Sequence, residues 1–346
     1  MASKQSSKAA KAGPAITSIA PVAAIAGGEL HIRGTGFASQ DGRPAVYVGS
    51  QRAHLTIAGE NYIVAKVPEG ASAGDVFVTA GEARSAPVKA AIGVQVAESL
   101  HPVANPAVDA EGNLYSTFSN ARGQKSPVSI YKIDTNQNSK PFVTDLMNPT
   151  GLAFDRSGLL YVSSRYDGIV YQVTPAGNTS VFVEGMGVAT GLAFDSDENL
   201  YVGDRSGTVF KISRSRQIFV FATLEPSIAA YHLAFGPEDD LFVAGPTTSS
   251  FDCVYRITRS GDVETWYRGI GRPQGLAFDA EGNLYVAGSI GGRRGVLRFS
   301  PDKQAEQFLS GPGIVGLAFA PDKAVIVATQ NALYRVPARI AGRPMP

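Results

Sequence analysis

The chain has 346 residues, 44% hydrophobic and 18% charged, with a formal net charge of +1. Such a balance, without a basic run in the body, argues against a phosphate-tracking surface, because nucleic-acid binding rests on clustered Lys and Arg. The single Cys253 excludes an internal disulfide and any zinc site built on several thiolates; within the apolar run Cys253-Val254-Tyr255 it reads as a packing residue.

Residues 1–13 carry Lys4, Lys8 and Lys11 among Ser and Ala and read as a disordered tail. The following stretch, 16–26, is broken by Thr17, Ser18 and Pro21 and lacks the compact apolar core of a secretory leader. No segment approaches the roughly 18 apolar residues of a membrane span. The chain as it stands is expected in the cytoplasm, with secretion the alternative if a leader has been removed.

Residues 14–91 alternate in short apolar runs at 16–19, 29–33, 45–48, 54–57, 63–66 and 75–79, with Gly and Pro between them. Strands at this spacing predict a small β-sandwich. Pro14-Ala15-Ile16-Thr17-Ser18-Ile19-Ala20-Pro21, Gly27-Gly28, Leu30 through Phe37, and Val67-Pro68-Glu69-Gly70-Ala71 resemble the IPT/TIG immunoglobulin-like domain. In bacteria that resemblance implies a spacer, a docking surface or a glycan neighbour, and assigns no chemistry.

From 92 to 338 a phrase recurs at intervals of roughly forty residues. Gly151-Leu152-Ala153-Phe154-Asp155 returns at Gly191–Asp195 and Gly275–Asp279, with looser copies at Asn105–Asp109, His232–Gly236 and Gly316–Ala320. Each unit holds four alternating segments separated by turn residues, the pattern of a propeller blade. Six copies predict six blades, so the fold class expected is all-β: a small immunoglobulin-like sandwich followed by a six-bladed β-propeller. Blade six runs out of strand-forming sequence before the Pro- and Gly-rich tail 339–346. Residues 92–99, ahead of blade one, are expected to supply its closing strand and remove an exposed edge.

Gly282-Asn283-Leu284-Tyr285-Val286 and Gly112-Asn113-Leu114-Tyr115 resemble NHL-type propellers and the related regucalcin/gluconolactonase family. The latter resemblance implies a divalent cation held by Glu, Asn and Asp at the starts of inner strands. In this chain the corresponding positions hold Thr150, Thr190 and Gln274, which bring no anionic oxygen. A His-based NHL lyase site needs about three histidines, and the propeller has His101 and His232. No metal and no cofactor are therefore expected.

Asp109, Asp155, Asp195 and Asp279 each close an inner strand and open an Asp-x-x-Gly or Asp-x-x-x-Asn turn, a structural role. Function is expected at the opposite mouth, where residues before each Gly-Leu-Ala-Phe and after each second strand converge. The binding candidates there are Asn105, Thr150, Arg165, Thr190, Asp204, Arg205, Tyr231, His232 and Gln274, with Ser289 and Arg293-Arg294 in neighbouring loops. Asn105 and His232 replace the Gly in blades one and four and should face each other across the channel. Arg165 and Arg205 could pair on a carboxylate or phosphate. The leading reading is a non-catalytic binding or scaffolding protein for a small ligand, glycan or protein. A divergent gluconolactonase-like hydrolase using Asp204, Asn105 and His232 is the second, and a structural assembly module the third.

Overall fold

The computed structural model describes residues 13–38, 43–72, 74–248 and 252–344. The tail expected over 1–13 lies, apart from Gly13, outside them. Every regular element among the described residues is a strand, and the chain divides into two compact units, the first ending at Ile92 and the second starting at Gly93.

The first unit is a sandwich of two antiparallel sheets. One orders Ala15–Ala20, Glu29–Thr35, Tyr62–Lys66 and His54–Ala58; the other orders Val88–Lys89, Asp75–Ala80, Ala45–Val48 and Gln51–Arg52. Alternation sets the faces: Leu30 and Ile32 are buried while Arg33 points to solvent. Ile63 from the first sheet and Val46, Val76 and Val78 from the second join them in one core, sealed by the fully buried Phe37.

The second unit is a ring of six four-stranded blades. Blade three consists of Ala189–Phe194, Leu200–Asp204, Thr208–Ile212 and Ile218–Thr223, paired antiparallel from the hub outward. The remaining inner strands are Ala107–Val108, Pro149–Phe154, His232–Phe235, Leu276–Phe278 and Ile314–Phe319. Inner strands in a propeller are covered on both sides by neighbouring blades, so Ala189–Phe194 is buried at every position instead of alternating.

The repeated Tyr, Phe and Asp form one unit of packing. Tyr201 stands edge-on to Phe221 of its own blade at 4.9 Å and to Phe235 of the next at 5.0 Å. Equivalent contacts to the next blade join Tyr115 to Phe154, Tyr161 to Phe194, Phe242 to Phe278 and Tyr285 to Phe319. The Tyr201 hydroxyl donates to Asp195 Oδ2 at 3.2 Å, while Asp195 Oδ1 accepts the Asp197 and Asn199 N–H groups. The aspartates are thus turn formers and also acceptors for buried phenols. Where blade four has Gly236 in place of Asp it has Phe242 in place of Tyr, and blade six pairs Ala320 with Ile326.

Blade six takes its fourth strand from the other end of the unit. Val94–Ala97 runs antiparallel to Leu333–Val336, with Val94 opposite Arg335 and Gln95 opposite Tyr334. Val96 is buried there in a cluster with Leu100, Ile326 and Leu333. The tail also docks: Ile340 N–H donates to Lys323 O, Ala280 N–H to Ala341 O and Arg343 N–H to Phe278 O.

Two stability measurements follow. Val96→Asp, which places a charge in the cluster at the seam, is expected to destabilise the propeller by about 3 kcal/mol. Val94→Asp on the same strand, where the side chain is 39% exposed, should change it by less than about 1 kcal/mol. Equal effects in denaturant melts would mean that this strand does not hold the ring closed. In a double-mutant cycle, Tyr201→Phe and Asp195→Gly should together cost about 1 kcal/mol less than the sum of the single changes. The double variant reproduces blade four, and strict additivity would show that the Tyr–Asp bond carries no coupling.

Candidate functional site

The inner strands begin at one mouth of the channel, the upper, and end at the lower with their Phe residues. The lower half is a cavity of about 250 Å³ walled by Phe154, Phe194, Phe235, Phe278 and Phe319, with Arg343 and Pro344 of the tail beside it. At the upper level neighbouring blades approach closely, and a side chain at most of the repeated glycines would clash. A Cβ on Gly151 would lie 2.2 Å from Thr190 O, and one on Gly191 2.5 Å from Tyr231 O. Backbone bonds run between blades here, Gly191 N–H to Tyr231 O and Gly275 N–H to Val315 O.

This crowding decides the fate of the candidates before each glycine. Thr150 and Thr190 are buried, their hydroxyls donating to Asn148 O at 3.1 Å and Gly203 O at 2.8 Å. Thr190 Oγ1 also accepts the Tyr231 N–H. Tyr231 is fully buried and its hydroxyl donates to Glu225 O. Asp204 is spent on the scaffold: Oδ1 accepts the N–H groups of Val188, ahead of the inner strand, and of Ser206 in its own loop, and Oδ2 accepts the Ser206 hydroxyl.

Asn105 does not turn to His232 across the channel. Its Nδ2 donates to Leu276 O in blade five at 2.8 Å and its Oδ1 accepts the Leu317 N–H in blade six at 3.0 Å. An amide in the glycine's place satisfies two strands at once, a stronger use of its groups than facing a distant imidazole. His232 is buried, and its ring has no hydrogen bond to a described residue. Burial alone lowers its pKa from 6.5 to about 4, so the ring is neutral at physiological pH and has no group to orient it as a base.

Three candidates keep capacity facing the rim: Arg165, Arg205 and Gln274. Gln274 lies in an open cleft of about 510 Å³ between blades five and six, with Arg272, Ser289, Arg294 and Gln330. Arg165 and Arg205 occupy matching places after the second strands of blades two and three. Sequence reading missed Asn148, which is 2% exposed and ties blade one's loop to blade two through Asn120 O, Ala121 O and Gly123 N–H. It also missed Arg122 and Gln330, which stand outside the repeated phrase.

The residues do not fit the cation of the gluconolactonase resemblance. Thr150 and Thr190 are committed to backbone groups, Asp204 has its oxygens engaged, and no cluster of three or more His, Cys, Asp or Glu among the described residues could hold a metal.

The family described as IPT/TIG domain matches residues 14–90. No curated protein matches the chain. Among solved structures, an auxiliary nutrient binding protein from Bacteroides thetaiotaomicron superposes with a TM-score of 0.55 at 11% identity, over 94% of this chain and 98% of the other. A gluconolactonase from Xanthomonas campestris gives 0.60 at 16%, over 73% and 89%. A virginiamycin B lyase from Staphylococcus aureus gives 0.51 at 12%, over 94% of each. At these identities the likeness concerns the fold.

The buried imidazole makes the fold sensitive to acid. His232 binds a proton more readily in the unfolded chain, so stability present above about pH 6.5 is lost as pH falls toward 4, by about 3 kcal/mol in total. Denaturant melts of His232→Gln across this range are expected to lack that increment; parallel curves for the two proteins would place the imidazole in water.

Proposed function

We propose that the chain is a non-catalytic binding protein that holds a hydroxyl-rich small ligand, a glycan by preference, in the cleft between blades five and six. The observation that carries this reading is the cleft's unspent hydrogen-bonding capacity. The Gln274 and Gln330 side chains have no hydrogen bond to a described residue, and Arg272 and Arg294 belong to no ion pair among them. Convergent amides and guanidinium groups offer donors and acceptors to hydroxyls at fixed positions without a nucleophile or a general base. The superposition on a nutrient binding protein is compatible with this use of the fold.

The lactone-hydrolase reading requires a polar cluster of Asp204, Asn105 and His232. Each of these is committed to the scaffold or buried neutral, which favours binding over turnover.

Calorimetry on hits from an oligosaccharide array is expected to yield a neutral glycan whose affinity drops at least about tenfold in Gln274→Ala. The melting temperature should stay within about 2 °C. An array without hits, or a hit indifferent to both Gln274→Ala and Arg294→Ala, removes the reading.

A further inference from the structure

On the side of the upper mouth formed by blades one to three, three arginines stand near one another without an ion pair to a described carboxylate. Arg165 is half-buried; its Nη2 donates to Asn120 O at 2.7 Å, while its Nε is buried and has no partner. Arg205, at the matching place one blade on, donates through Nε to Ser227 O at 3.2 Å and leaves the rest of its guanidinium exposed. Arg122 is exposed on blade one's loop, whose neighbour Gly123 is fixed by Asn148. None of the three forms an ion pair with a described residue, whereas Arg214, Arg256, Arg259, Arg298 and Arg335 all do.

Backbone carbonyls hold these guanidinium groups in place without neutralising them. A buried Nε–H with no acceptor is unfavourable by roughly 1–3 kcal/mol, more when the group is charged. Burial lowers the Arg165 pKa, and the charges of Arg205 and Arg122 lower it further. A fold gains nothing by placing like charges next to one another, but an incoming oxyanion relieves the repulsion. The 48%-exposed ring of Tyr166, which would lie 3.4 Å from a Cβ on Gly123, offers a flat wall beside them.

We propose that Arg165, Arg205 and Arg122 form an anion site, separate from the cleft between blades five and six, that takes the carboxylate or phosphate group of a small ligand. Arg165 Nη1 and the free nitrogens of Arg205 supply the donors, and Arg122 adds charge at the rim.

The probes are inorganic phosphate and succinate, titrated calorimetrically into the full chain at about 10 mM with ionic strength matched by chloride. At least one is expected to bind wild type and raise its melting temperature. Affinity should fall at least about tenfold in Arg205→Ala, an exposed position that leaves the fold intact, and in Arg165→Gln. Gln274→Ala should bind the anion like wild type, which separates this site from the glycan cleft. Preference for phosphate identifies a phosphorylated ligand and preference for succinate an acidic one. Absence of binding by both probes, or equal binding in wild type and Arg205→Ala, overturns the proposal.

Discussion

The ring depends on one aromatic contact repeated around it. The second-strand aromatic ring of blades one to five, Tyr in four of them and Phe242 in blade four, meets at a steep angle the Phe that ends the next blade's inner strand, at centroid distances of 5.2, 5.0 and 5.0 Å for the first three. Such pairs contribute about 0.5–1.5 kcal/mol beyond the area they bury, and their geometry fixes the angle between blades. The phenol brings a polar atom into that interface, and the Asp after the Phe of its own blade receives it. The three residue types are therefore linked: removing the acid demands removing the hydroxyl, and blades four and six do both.

The junction of blades six and one is the exception. Ile326 and Val108 stand where Tyr and Phe stand elsewhere, so the contact there is aliphatic and lacks the orienting quadrupole. This is also where the ring is closed by a strand borrowed from the start of the unit. Elsewhere the third and fourth strands of a blade are joined by a turn, whereas in blade six they are joined by hydrogen bonds and packing. The borrowed strand and the cluster of Val96, Leu100 and Leu333 supply at the seam what aromatic packing supplies at the other five interfaces.

Periodicity made the architecture legible. The repeated phrase marks the inner strand of each of the six blades, because turns and alternation recur six times and reinforce one another. Site residues were less legible, since polarity at the start of an inner strand has two uses that look alike in one dimension. Thr150, Thr190, Tyr231 and Asp204 are polar because tightly apposed backbones need partners. The distance between neighbouring strands, which decides this, is not written in any single repeat. Asn105 shows the limit most plainly: counting blades places it opposite His232, yet its amide finds unmet strand groups nearer by.

Arginines in this fold differ in the chemistry of their anchors. Arg256 lies among Glu238, Asp240 and Glu264, which raise its pKa and leave no charge to spare. Arg165 and Arg205 are anchored instead by carbonyl oxygens, which orient a guanidinium but carry no net charge with which to cancel it. The propeller thus fixes long cationic side chains in two ways, and only the second leaves their charge uncancelled. The crowded hub reinforces this division. A side chain at Gly151 or Gly191 would clash with the next blade, and Asn105 at the equivalent place is committed to neighbouring strands, so free polar side chains are displaced outward to the loops, where each blade can vary them without disturbing the aromatic contacts that hold the ring.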